Sequence, residues 1–243
     1  MHQVALVEVE LEKPSDRCKI SSEPMKRLLA LTLPLLLATC GPSGSGGSSG
    51  EVFNRHDHST PPGVNVSLMI TAGQYGRHKM LPMSPRYITI HTTQSYGTGA
   101  GARTHAKILK RGGLKSTNNS LGYLTWHFSV DSNSIYQSLP TNEQGQHADY
   151  EGTGNKYSIG IKMCENRDGS FTATKARTAK LVAQLMKQHN IPISRVVGHH
   201  EWERIRYSDG KNLGFKNCPK PLLDNGKYGT KWAAFKRQIQ KNL

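Results

Sequence analysis

Short apolar strands alternate with amphipathic helices over the second half of the chain. Arg86-Tyr-Ile-Thr-Ile-His91 is short and β-branched, which predicts a buried strand. Ala100 to Lys110 predicts a helix ended by Gly112-Gly113. Trp126-His-Phe-Ser-Val-Asp131 alternates, turns at Ser132-Asn133 and returns through Ile135-Tyr136-Gln137, a hairpin pattern. Ser158 to Cys164 predicts another strand. Thr174 to His189 is the best helix, with Ala179, Val182, Ala183 and Met186 on one face and Asn190 with Pro192 as its stop. Arg195-Val-Val-Gly198 predicts a short strand leading into His199, and Trp232 to Ile239 a closing helix. Strands interspersed with helices predict an α/β domain, a mixed central sheet covered by helices.

Upstream, the pattern changes. Met25-Lys26-Arg27 is a basic start, Leu28 to Leu37 an apolar run, and Leu37-Ala-Thr-Cys40 a small-residue end. That order reads as an export signal, because the run is too short to span a bilayer. The last four residues look like a bacterial lipobox, with Cys40 as the lipidated residue. Residues 1–24 precede this natural start and read as an upstream extension, and 25–40 read as the lipoprotein signal. Residues 41–80 read as a Gly/Ser-rich tether, Gly41 to Gly50, followed by an irregular lead-in. Ordered sequence is expected from 81 to 243. The address that follows is the bacterial cell envelope, facing the periplasm and held on the outer rather than the inner membrane.

Composition adds two constraints. Three Trp, nine Tyr and five Phe supply a core, which excludes a fully disordered chain. Four Cys in 243 residues exclude a disulfide-dense scaffold. The net charge of +15 lies entirely after residue 40, where 27 basic face 12 acidic side chains. Such a field favours anionic polymers. The excess is spread along the chain and no nucleic-acid-binding motif accompanies it, so nucleic acid is not expected as a partner. A monomer is expected.

Three residues carry candidate chemistry. His91 ends a strand, His199 follows another, and Cys218 lies in Lys216-Asn-Cys-Pro219. Two imidazoles and a thiolate suit zinc and leave a fourth position for water. A single strand-end His or a single Cys is ordinarily structural, and the spacing alone does not join the three.

A resemblance joins them. Seven runs occur in order: Tyr87-Ile-Thr-Ile-His91-Thr-Thr, Trp126-His-Phe-Ser-Val-Asp131, Leu139-Pro-Thr-Asn142 with His147-Ala148, Gly152-Thr-Gly-Asn155, Ser158-Ile-Gly-Ile161, Val196-Val-Gly-His199 and Lys216-Asn-Cys-Pro219. From about Tyr87 to Trp232 the chain resembles the zinc-dependent N-acetylmuramoyl-L-alanine amidases, the group of phage endolysin amidases and peptidoglycan recognition proteins. The resemblance implies one zinc ion on His91, His199 and Cys218, and Lys216 as the cation that stabilises the oxyanion. It implies a hydrolase that cleaves the amide between N-acetylmuramic acid and L-alanine, with peptidoglycan or muropeptides as substrate. His127, His147 and Asn142 are expected to contact substrate. The segment Arg204 to Phe215 reads as a loop insertion near the cleft.

The chain departs from this pattern at one position. Where the resemblance implies Glu after Ser-Ile-Gly-Ile, it has Lys162. Glu201, Glu143 and His200 are then the candidates for proton transfer, Glu201 first because it follows His199 closely. The same departure supports a rival reading, a module that holds peptidoglycan fragments without cleaving them.

Overall fold

The β-branched run at Tyr87–Thr92 forms strand β1 and sits near the middle of a five-stranded sheet. The description rests on a computed structural model and covers residues 59–243. The expected signal at 25–40, Cys40, the extension at 1–24 and the Gly/Ser tether lie outside these residues. Helix α1 is Ala102–Lys110, β2 Phe128–Val130, β3 Ile135–Gln137, α2 Thr153–Tyr157 and β4 Ser158–Met163. Helix α3 is Phe171–His189, β5 Val196–Gly198 and α4 Thr230–Gln240. The sheet order is β3-β2-β4-β1-β5, parallel except for the β2–β3 hairpin. This is the mixed sheet of an α/β domain.

Period-two alternation sorts the side chains of the central strands onto two faces. Ile88, Ile90, Phe128, Val130, Ile159, Ile161 and Met163 turn to one face and are buried there. They meet Ala179, Val182, Ala183 and Met186 of α3, and Trp232, Phe235 and Ile239 of α4. Truncating one of the large fully buried side chains, such as Leu181 or Phe128, typically costs ~2–5 kcal/mol. The other face carries the polar alternates Thr89, His91, Ser129, Gly160 and Lys162. Because β1 and β4 are parallel with His91 opposite Lys162 in register, these two side chains emerge side by side.

Helix α3 starts a turn earlier than the apolar period predicts. The Ser170 side chain caps it by accepting the Ala173 N–H, and Phe171 in the added turn packs against the core. It ends at Asn190, which takes the left-handed conformation (φ 51°), tolerated by Asn. The five-residue α2 has too few turns to show a period and is absent from the sequence-based elements.

Residues 59–80, read as an irregular lead-in, are packed rather than loose. They hold one turn of 3-10 helix, Tyr75–Arg77. Ile70 is fully buried beside Leu109, Trp126 and Leu139, and Asn65 bridges to Tyr136. Arg77 binds both oxygens of Glu143, at 2.6 and 2.7 Å. The ordered unit therefore begins upstream of residue 81.

Candidate metal centre

The polar face converges where β1 and β5 end. His91 is the fifth residue of β1, and His199 follows β5 directly. The His200 N–H donates to the Cys218 carbonyl (2.9 Å), which draws the segment before Pro219 against His199. His91, His199 and Cys218 are all buried, and one ligand atom from each lies within 4.8 Å of the others. The three metal-ligand candidates are thus brought together from three distant parts of the chain.

Hydrogen bonds to carbonyls decide which ring nitrogens carry protons, since a carbonyl can only accept. His199 donates from Nε2 to the Ala148 carbonyl at 2.9 Å, so its Nδ1 keeps a lone pair. His147 donates from Nε2 to the Ser158 carbonyl at 3.3 Å, so its Nδ1 is an acceptor. That acceptor takes the Nε2–H of His91 at 3.1 Å, which leaves His91 Nδ1 unprotonated. His91 Nδ1 and His199 Nδ1 face each other at 3.0 Å. Burial holds both rings neutral: it lowers His91 well below its usual pKa and His199 to about 3, with Lys162 and Lys216 adding to the effect. Two lone pairs so close repel unless a cation lies between them. Tetrahedral zinc with Zn–N near ~2.0–2.1 Å sets its nitrogens roughly 3.3 Å apart, close to this spacing. The donor set therefore fits a soft divalent metal, with the Cys218 sulfur as third ligand.

Burial pushes the Cys218 thiol up, while the adjacent Thr92 backbone and the nearby Lys162 and Lys216 cations oppose it. A small pocket of about 100 Å³ opens beside the cluster, lined among others by His147, His199, Lys162, Lys216, Arg204 and Tyr150. The Lys162 ammonium lies 4.4 Å from the centre of the Trp126 ring, a cation–π contact that fixes its direction. Burial brings the Lys162 pKa down to about 8, so it is still mostly charged at neutral pH. No carboxylate lines this pocket among the described residues.

Several expected site residues lie elsewhere in role or place. His147 lines the pocket, and both its ring nitrogens are committed to His91 and Ser158, so it also orients a candidate metal ligand. Its ring is packed against Gly160, where an added Cβ would come within 2.5 Å of His147 Cδ2, which is why that position needs Gly. His127 is fully buried, accepts the Gly160 N–H at Nδ1 and donates to the Glu143 carbonyl, so it is a satisfied core histidine and not a substrate contact. Burial lowers its pKa to about 4. Asn142 is exposed in the turn after β3, where its carbonyl takes the Met83 N–H, and it does not line the pocket. Glu201 is exposed, its carboxylate lies near Tyr228 and Lys236 of α4, and it does not line the pocket. Glu143 is held by Arg77, and His200 packs on the Tyr228 ring at 4.0 Å.

Sequence reasoning missed Asn155 as a site residue. Its Oδ1 accepts the N–H groups of both His147 and Ala148 at 2.8 Å, setting the ring and the carbonyl that orient His91 and His199. Asp149 fixes that loop by accepting from Gly154 and Asn155. The run Gly152-Thr-Gly-Asn155 marked the segment without revealing its task.

A profile of the N-acetylmuramoyl-L-alanine amidase family matches residues 81–221. The chain belongs to the N-acetylmuramoyl-L-alanine amidase family. It is 43% identical over 145 residues to the amidase CwlH of Bacillus subtilis, covering 59% of this chain and 50% of CwlH. It is 42% identical over 158 residues to the amidase XlyA of the same species, covering 65% of this chain and 45% of XlyA. The structure of the catalytic domain of XlyA superposes with a TM-score of 0.58 at 38% identity, covering 72% of this chain and 98% of that domain. The chain spans about half the length of the curated relatives it matches.

Proposed function

We propose that the protein is a zinc-dependent amidase that hydrolyses the bond between N-acetylmuramic acid and L-alanine in peptidoglycan or its fragments. The observation that carries this reading is the pair of facing, unprotonated Nδ1 atoms of His91 and His199 beside the Cys218 sulfur. One zinc ion held there would supply a Lewis acid that polarises the scissile carbonyl and acidifies water. Lys216 stands at the same pocket, where its cation meets the negative charge that grows on the carbonyl oxygen in the transition state. The Ala148 carbonyl and His147 keep His199 and His91 in the tautomers that ligate. Zinc-loaded protein incubated with purified sacculi should expose new N-terminal L-alanine. Intact amides after prolonged incubation with metal bound would refute the reading.

One observation favours a second reading, a module that binds peptidoglycan fragments without turnover. Lys162 stands in the pocket where the family resemblance implies a carboxylate, and no other acid lines that pocket among the described residues.

The basic start, apolar run and Leu-Ala-Thr-Cys40 support export and lipidation at Cys40, with the domain tethered in the envelope and facing the periplasm. No helix among the described residues is long and apolar enough to cross a membrane. Cys40→Ala should shift the protein out of the membrane fraction. An unchanged distribution would remove the anchor from this account.

A further inference from the structure

The two places where the sequence departs from its family resemblance, Lys162 and the inserted segment from Arg204, meet in one pocket. The insertion folds as a hairpin: Leu213 donates to Arg204 and Arg206 to Lys211 through the backbone, and Ile205 bridges Asn212. Arg204 closes the base of this hairpin with its own side chain. Nε donates to the Gly214 carbonyl at 3.1 Å and Nη2 to the Leu213 carbonyl at 2.7 Å. These bonds fix the guanidinium at the pocket and leave Nη1 without a hydrogen-bond partner among those of the described residues. Lys162 reaches the same pocket from β4, held over Trp126. Among the described residues, the only charged side chains that line it are Lys162, Arg204 and Lys216, all cationic. None of the three forms an ion pair among the described residues.

We propose that Lys162 and Arg204 together bind a carboxylate of the stem peptide, making the pocket selective for stems whose second residue carries a free α-carboxylate over stems in which that group is amidated. This rests on the amidase reading given above. Size and place both argue for it. A pocket of about 100 Å³ has room for a carboxylate. The pocket shares His199 with the ligand cluster, so an anion inside it lies within about one residue of the scissile amide. In the stem, that residue is the γ-linked D-glutamate that follows L-alanine. Its α-carboxylate is charged when free and neutral when amidated. The amidated form would leave two half-buried cations without a counter-charge, which is a penalty as well as a lost attraction.

The test compares N-acetylmuramoyl-L-Ala-D-Glu with N-acetylmuramoyl-L-Ala-D-isoGln on the zinc-loaded protein. Affinity is measured by calorimetry, and released dipeptide is quantified by chromatography in the same samples. The free carboxylate should bind roughly 10- to 100-fold tighter, the range of a hydrogen-bonded charge. Lys162→Gln and Arg204→Gln should each reduce that ratio several-fold while zinc content stays at one per chain. Arg204→Lys should keep part of it, since the charge remains and the fork is lost. Equal affinities in the wild type overturn the proposal, whether or not either ligand is cleaved. So does an undiminished ratio in both Gln variants. A preserved ratio without released dipeptide upholds the pocket assignment and sinks the amidase reading instead.

Discussion

His147→Phe removes both ring nitrogens of a histidine that touches no metal, while keeping a ring between Gly145 and Gly160. In the wild type, His147 accepts the His91 Nε2–H at 3.1 Å and passes its own N–H to Ser158. Without that acceptor, His91 can take either tautomer and rotate, so its Nδ1 is no longer held toward His199. Loss of such an orienting partner typically costs 10- to 100-fold in metal affinity, or ~1.4–2.8 kcal/mol. Metal that binds the folded state alone stabilises it by RT ln(1 + [L]/Kd), so at a fixed excess of zinc the variant loses the same ~1.4–2.8 kcal/mol. For a domain of this size, ~2–4 °C per kcal/mol converts this into a zinc-induced rise in Tm smaller by roughly 3–11 °C. Chelator competition gives the affinity and scanning calorimetry with and without zinc gives the shift. Gly160→Ala provides a second route to the same effect, because its new methyl would push the His147 ring away. Wild-type zinc affinity in His147→Phe would refute the tautomer argument on which the metal site rests.

Lys162→Glu should raise the rate at which N-acetylmuramoyl-L-Ala-D-isoGln, which has no α-carboxylate for the new acid to repel, is hydrolysed, with zinc content unchanged. General acid–base assistance contributes ~10²–10⁴-fold, so an unchanged rate in steady-state assays would show that proton transfer runs through another group. The metal-free domain should lose stability as pH falls. His127 titrates near 4 in the folded state and near ~6.5 unfolded, so its stabilisation is complete above the unfolded value and is lost between about 6.5 and 4. The size is ~3 kcal/mol from this one buried ring. Denaturant melts of wild type and His127→Gln should show a shallower pH slope in the variant, and parallel slopes would contradict the assignment. In the same series, His91→Ala, His199→Ala and Cys218→Ser should each lose most bound zinc by mass spectrometry of the native protein. Full zinc retention in all three would overturn the ligand set.

The strands and the long helix were legible along the chain because burial on a sheet face or helix stripe imposes a local period. The alternation of Ile88, Thr89, Ile90 and His91 already sends two apolar residues to the core and His91 to the opposite face. The ordered motifs likewise carried the family and, through the resemblance rather than any spacing of their own, the candidate ligand trio that the fold brings together. Side-chain direction and pairing across the fold were not legible. His127 and His147 look alike in sequence, yet one is closed off by Gly160 and Glu143 while the other holds His91. Glu201 is two residues from His199, but a turn of 3-10 helix points it toward Tyr228. Residues 59–80 have no period because single residues such as Ile70, not a repeating face, fasten them to the domain. Only the tertiary structure places Lys162 of β4 and Arg204 of the hairpin around one pocket, since that meeting depends on the strand register and the hairpin's own hydrogen bonds.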